Sequence, residues 1–119
     1  MTKSITLTGA SGVSYSYEAV KPDHAWKNVA GNFTFATLTE MGNWHVLYVG
    51  ETSSFHESLP NHSLWPEAAS FGCTHVLAHI NEDGAQARQL EARDLIESLS
   101  PPMNRMHDPM KSPGDVPVQ

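Results

Sequence analysis

The sequence predicts an α+β domain in which helices flank a small antiparallel β-sheet. Three features lead to this class: short alternating runs separated by Gly-containing turns, an apolar β-forming run over 44–49, and one long helical pattern over 85–99. A chain of 119 residues buries a single core. We therefore expect one domain over 1–106 and a flexible tail over 107–119, where Pro and Gly are frequent and apolar periodicity is absent.

The first predicted element is a β-hairpin added at the N-terminus, over about 4–19, because two alternating runs surround a Gly-Ala-Ser-Gly turn. Pro22 breaks this pattern and is placed to open a short helix over 24–29. Strands over 32–38 and 44–49 then form a second hairpin. The remaining predicted elements are a short helix capped by Ser53 or Ser54, a second short helix over 62–69, a strand over 73–80 and a helix over 85–99. The residues that share the apolar face of this last helix are Ala85, Ala92, Leu95, Ile96 and Leu99.

The charge balance bears on the class of partner. Seven Lys and Arg residues against thirteen Asp and Glu residues give a net charge of -6. Nucleic-acid binding draws on Lys and Arg contacts to phosphates, so this balance disfavours strong non-specific binding. Cys73 is the only cysteine and cannot form an internal disulfide, which favours a reducing, cytoplasmic setting. No apolar stretch approaches the roughly 20 residues that span a membrane, so we expect no membrane partner.

Four short motifs occur in a fixed order along the chain. They are Gly31-Asn32-Phe33, Tyr48-Val49-Gly50, Glu91 followed by Leu95-Ile96, and Pro101-Pro102-Met103-Asn104. In this order, on a hairpin, a later helix and the turn after that helix, they resemble the signature of the GIY-YIG nuclease family. The resemblance implies a GIY-YIG-like fold with the N-terminal hairpin as an addition.

The resemblance also implies an activity. The family hydrolyses phosphodiester bonds in nucleic acid with one divalent cation, here Mg²⁺ or Mn²⁺. Glu91 would be the metal ligand, since such cations take anionic oxygens and keep several waters. Tyr48 would position or deprotonate the attacking water, and His62 falls where the family carries a histidine. Asn104 would be a local structural or phosphate-contacting amide.

Two positions depart from the family pattern. Phe33 stands where the family usually has Tyr, and Ser58 stands where an Arg is expected. Losing a positioned charge-stabilising donor costs about 10²–10³ in rate at comparable sites. Arg88, one helical turn before Glu91, and Arg105, directly after Asn104, are the candidate phosphate-binding replacements.

The resemblance and the departures from it lead to two candidate functions. The first is a metal-dependent endonuclease, weakened by the departures at Phe33 and Ser58. The second is a domain of the same fold that has lost catalysis and binds a partner, which the net charge of -6 favours. A third interpretation, an unrelated small α+β domain, applies if Tyr48 and Glu91 lie far apart.

Each candidate residue also has a purely structural interpretation. Glu91 lies at the edge of the buried helix face, where it can pair with Arg88 three residues back. His75 and His79 point to the same side of their strand, a spacing that permits metal binding, although core or surface histidines are favoured. The corresponding interpretations are a core aromatic for Tyr48, a turn residue for Asn104 and a helix cap or surface residue for His62.

Overall fold

A computed structural model describes residues 3–106, so the predicted tail over 107–119 lies outside the described residues. Its centre is a five-stranded antiparallel sheet with the spatial order β1-β2-β5-β3-β4. The strands are β1 (Lys3–Thr8), β2 (Ser14–Val20), β3 (Gly31–Leu38), β4 (Trp44–Thr52) and β5 (His75–Ile80). The helices are α1 (Phe55–Ser58), α2 (Trp65–Ser70) and α3 (Ala85–Leu99), followed by a 3-10 turn at Pro102–Arg105. The predicted class, an α+β fold with an antiparallel sheet and flanking helices, is confirmed.

The sheet separates two apolar clusters because alternate residues of each strand point to opposite faces. On one face α3 packs with Ala92 and Leu95. The strand side chains under α3 include Leu7, Tyr17, Ala36, Val49 and Leu77. On the other face lie α1, α2 and the 3-10 turn. The side chains buried there include Phe33, Phe35, Tyr48, Val76, Phe55, Leu59, Ala68 and Met103.

Local sequence signals set most element boundaries. Ser54 caps α1, and its hydroxyl accepts the Glu57 N–H at 3.2 Å, as the sequence predicts. The end of α3 is fixed by Ser100, which takes a left-handed backbone conformation at φ 45°, and by the following Pro101. Among residues 3–106 there is no helix that combines the length and apolarity needed to cross a membrane.

The helix predicted over 24–29 is wrong, because the structure has no helix there. Tertiary hydrogen bonds explain the difference. The carbonyls of Lys27 and Val29 accept the N–H groups of His56 and Phe55, which are unsatisfied donors at the start of α1. The Trp26 ring also packs on Phe55, with ring centroids 5.4 Å apart. The backbone of this segment therefore bonds to the start of α1 and does not form a helix.

Candidate functional site

Tyr48 and His62 share the sheet face that carries α1 and α2. Their ring centroids are 6.2 Å apart, and both rings pack against Phe33 and Phe35. Burial lowers the pKa of His62, which favours its neutral form. Together these side chains form an aromatic cluster inside the apolar core of this face.

Glu91 lies on the opposite face of the sheet. Asn32 and Phe33 are neighbours in β3, and they point to opposite sides. The Asn32 amide donates to the Arg88 carbonyl of α3 at 2.8 Å, whereas the Phe33 ring contacts Tyr48. The sheet therefore stands between Tyr48 and the helix that carries Glu91.

Asn104 acts on the backbone of the edge strand β4. Its Nδ2 donates to the Val49 carbonyl at 2.9 Å, and its Oδ1 accepts the Val49 N–H at 2.7 Å. With these two hydrogen bonds the Asn104 side chain pairs with the β4 backbone as a neighbouring strand would. Of the four residues singled out for catalysis, the structure brings Tyr48 and His62 together, places Glu91 on the other side of the sheet, and uses Asn104 to bind backbone.

The two candidate phosphate-binding arginines lie in different surroundings. Arg88 is buried, and its Nε donates to Glu51 Oε1 at 2.9 Å. Its Nη1 donates to the Asn81 carbonyl at 3.4 Å. Arg105 is exposed in the 3-10 turn. The alternative pairing of Arg88 with Glu91 is not what forms, because Glu51 on β4 takes the guanidinium. Ser58, where the family expects Arg, shares a 2.5 Å hydrogen bond with Thr52.

Glu91 is the centre of a buried polar network, which we call the Glu91 network. Its Oε2 accepts the Tyr17 hydroxyl at 2.5 Å and lies 2.8 Å from His79 Nδ1. Its Oε1 accepts the Asn81 amide at 3.1 Å. Only 5% of Glu91 is exposed, and Tyr17 is fully buried. The carboxylate is thus held by three side chains, one each from β2, β5 and the segment after β5.

The titration behaviour of this region follows from burial and neighbouring charge. Burial, then the charge of Glu91, raises the pKa of Tyr17, so its hydroxyl remains a donor. Tyr15, two residues earlier, has its pKa raised to about 12 by burial and by its bond to Asp94. Hydrogen bonds from the Ser11 hydroxyl and N–H hold the pKa of Asp94 below its usual value.

An open depression of about 730 Å³ lies beside the Glu91 network, between β5, the hairpin turn after β1 and the part of α3 from Ala87 to Glu97. We call it the α3-side depression. The apolar residues that line it include Ile80 and Leu90, which are 57% and 62% exposed. The carboxylates that line it are Glu82, Asp83, Glu91, Asp94 and Glu97, and Arg93 is the one cation among its lining residues. His79 and Tyr15 are its aromatic lining residues.

The Glu91 network does not have the donor set of a metal site. Among residues 3–106 no three His, Cys, Asp or Glu side chains group so that they can hold an ion. Both Glu91 oxygens face hydrogen-bond donors, the Tyr17 hydroxyl, the Asn81 amide and His79. A hydrated Mg²⁺ or Mn²⁺ needs lone pairs from its ligands, and three of the roughly four lone-pair sites of this carboxylate already accept hydrogen bonds. The residues in this arrangement do not fit the cation that the resemblance implies.

Sequence reasoning missed three members of the network. Tyr17 falls in the predicted N-terminal hairpin, and Asn81 lies between the predicted strand over 73–80 and the helix over 85–99, so neither position carries a functional signal. The spacing of His79 from His75 gives it no partner on α3. The strand alternation places Tyr17 and His79 on defined faces, yet only the pairing of β2 with β5, such as Ala19 opposite Leu77, brings them beside each other.

The chain matches no protein-family model, no curated protein sequence and no solved structure.

Proposed function

We propose that the chain works as a protein-binding module, in which the α3-side depression takes a basic, partly apolar segment of the partner. The motifs keep the order that the resemblance implies, with Gly31-Asn32-Phe33 and Tyr48-Val49-Gly50 on the paired strands β3 and β4, Glu91 in α3, and Asn104 in the turn after α3. Because the sheet separates Tyr48 from Glu91, we adopt the third interpretation, a small α+β domain unrelated to the nuclease family.

The absence of nuclease catalysis in this proposal is supported by the internal partners of the candidate catalytic groups. Glu91 accepts hydrogen bonds from three protein side chains, and Arg88 is paired with Glu51. Tyr48 lies across the sheet from Glu91. A phosphate at Arg88 would compete with Glu51, and a cation at Glu91 would compete with three hydrogen-bond donors; leaving a buried partner unsatisfied costs about 1–3 kcal/mol.

The binding role rests on the chemistry of the α3-side depression, and this is the observation that carries the proposal. Leu90 and Ile80 expose large apolar surface inside a concave region, which is typical of interaction sites. Exposed carboxylates of Glu82, Asp83 and Glu97 surround that surface. A segment with Lys or Arg side chains spaced around one or two aliphatic residues is complementary to both features.

A peptide titration tests the binding role. The probe is a short peptide with alternating Arg and Leu residues, and the control peptide has Glu in place of Arg. We expect saturable binding of the Arg peptide, weakening as salt rises because the attraction is electrostatic. Binding of the Glu peptide that equals that of the Arg peptide would contradict the proposal.

Two matched charge reversals locate the site. Glu97→Lys lies in the depression, and Glu40→Lys lies in the exposed turn between β3 and β4. Both change the net charge by the same amount. We expect Glu97→Lys to weaken binding of the Arg peptide by about fivefold or more, the effect of a contact worth roughly 1 kcal/mol. Equal effects of the two variants would show a non-specific charge effect instead.

Phosphodiester hydrolysis is the second candidate, favoured by one specific observation. Glu91 lies 2.8 Å from His79 Nδ1, and the His79 side chain is 31% exposed at the edge of the depression. A carboxylate that accepts from Nδ1–H leaves Nε2 as the basic nitrogen, which is the arrangement of a general base. Cleavage of single- or double-stranded DNA or RNA in Mg²⁺ or Mn²⁺, lost in both Glu91→Gln and His79→Gln, would establish this candidate over the binding module.

A further inference from the structure

The two edges of the sheet differ in how their backbone groups are satisfied. At the β4 edge, the Asn104 side chain bonds both the N–H and the carbonyl of Val49. At the other edge, β1 has β2 as its one strand neighbour within residues 3–106. An edge strand of six residues with no Pro and no acidic side chain is a template for pairing with another strand.

The hairpin geometry identifies which β1 groups face outward. The Gly9 N–H donates to the Val13 carbonyl at 2.9 Å, so this pair is hydrogen-bonded across the hairpin. Antiparallel pairs alternate, and the outward backbone groups of β1 therefore belong to Ser4, Thr6 and Thr8. The Thr8 carbonyl confirms the direction, because it accepts the Ser98 hydroxyl of α3 at 2.8 Å instead of a β2 donor.

These outward groups are self-complementary. If two β1 strands run antiparallel with a two-fold axis at Thr6, Thr6 faces Thr6 and Ser4 faces Thr8 of the second copy. Every such pair joins two outward-facing residues, so N–H and carbonyl groups match without a bulge. The Thr8 carbonyl already accepts the Ser98 hydroxyl and would accept the Ser4 N–H of the second copy with its other lone pair. The same register sets Ile5 beside Leu7 of the second copy on the α3 side of the sheet, where Ile5 is half-buried and Leu7 buried.

Charge does not oppose this pairing locally. Each chain carries a net charge of -6, but β1 itself has Lys3 as its one charged residue. The register places the two Lys3 side chains at opposite ends of the paired strands. We propose that β1 is the interface of a homodimer, in which two sheets join through antiparallel β1 strands around Thr6. This interface is separate from the α3-side depression and stands independently of its function.

A pair of cysteine variants tests the register directly, in a Cys73→Ala background. In a hydrogen-bonded antiparallel pair the Cα atoms lie about 5.5 Å apart, within the range of about 4.4–6.8 Å that a disulfide needs. Thr6→Cys is therefore expected to form an intermolecular disulfide under mild oxidation. Ser4→Cys is the matched control, because the two Ser4 positions are more than about 13 Å apart along the strands. Cross-linking of Ser4→Cys as readily as of Thr6→Cys would overturn the proposed interface.

Mass measurement in solution tests the dimer without a cross-link. By light scattering in reducing buffer we expect the wild-type chain at twice 13.1 kDa, dissociating on dilution. Thr6→Pro removes an outward N–H that β2 does not use, so it should give monomer, while Thr6→Val should remain dimeric. A wild-type chain that stays monomeric up to ~1 mM, or a dimer that Thr6→Pro leaves intact, would show the proposal to be wrong. If Thr6→Pro fails to fold, the cysteine pair decides.

Discussion

Replacing Glu91 with alanine removes the acceptor of three hydrogen bonds at once. His79 and Asn81 are partly exposed and can turn to water, but Tyr17 is fully buried and its hydroxyl has no described partner besides Glu91. An orphaned buried donor costs about 1–3 kcal/mol, partly offset here because a buried carboxylate is also removed. We expect Glu91→Ala to lower the free energy of unfolding by about 1–2 kcal/mol, a substantial part of the roughly 5–15 kcal/mol of a typical domain.

Urea unfolding with linear extrapolation measures this change. Glu97→Ala is the matched control, an exposed glutamate on the same helix whose loss should stay within about 0.5 kcal/mol. In a Tyr17→Phe background the orphaned hydroxyl is absent, so Glu91→Ala should cost about 1 kcal/mol less than in the wild type. A Glu91→Ala variant that is as stable as wild type, or more stable, would refute the structural role, because residues kept for function are often retained at the expense of stability.

Three further outcomes are expected from the same unfolding measurements. Asn104→Ala removes two buried hydrogen bonds to the β4 backbone and should cost about 2–3 kcal/mol, against less than about 0.5 kcal/mol for exposed Arg105→Ala. The raised pKa values of Tyr15 and Tyr17 give stability that is present below pH 10 and lost as pH rises toward 12, and Tyr17→Phe should flatten this alkaline loss. Burial lowers the pKa of His62 from 6.5, so stability should fall as pH drops below 6.5, and His62→Leu should reduce that acid dependence; an unchanged slope would argue against a neutral buried His62.

The elements that sequence predicted well are those fixed by local signals. The helix over 85–99 has a strong pattern and a Pro-containing stop, and the structure begins and ends it at the same residues. The cap of Ser54 and the N-terminal hairpin also depend on short-range chemistry. The segment over 24–29 follows Pro22, a residue typical of a helix start. Its carbonyls instead accept the N–H groups at the start of α1, and no local pattern in the sequence predicts these long-range hydrogen bonds.

The candidate site was harder to predict because it depends on which face of the sheet each element covers. Glu91 was placed at the edge of the buried helix face, and the structure buries it. Its partners Tyr17 and His79 come from strands that are far from α3 in sequence, so the strand order decides their meeting. The resemblance implies that Tyr48 and Glu91 share one site, yet the alternation of side chains along β3 and β4 puts the sheet between them.

An amide chemical-shift titration of the isotope-labelled chain with the Arg-Leu peptide, in the presence of Mg²⁺, distinguishes the binding module from the nuclease. We expect shifts concentrated at the α3-side depression, around Leu90, Glu97 and Ile80, and unchanged spectra around the Tyr48 cluster. A parallel titration with a DNA oligonucleotide should leave the spectra unchanged and the oligonucleotide intact. Oligonucleotide cleavage that Glu91→Gln abolishes, or peptide shifts absent from the depression, would show that the protein is not the binding module proposed here.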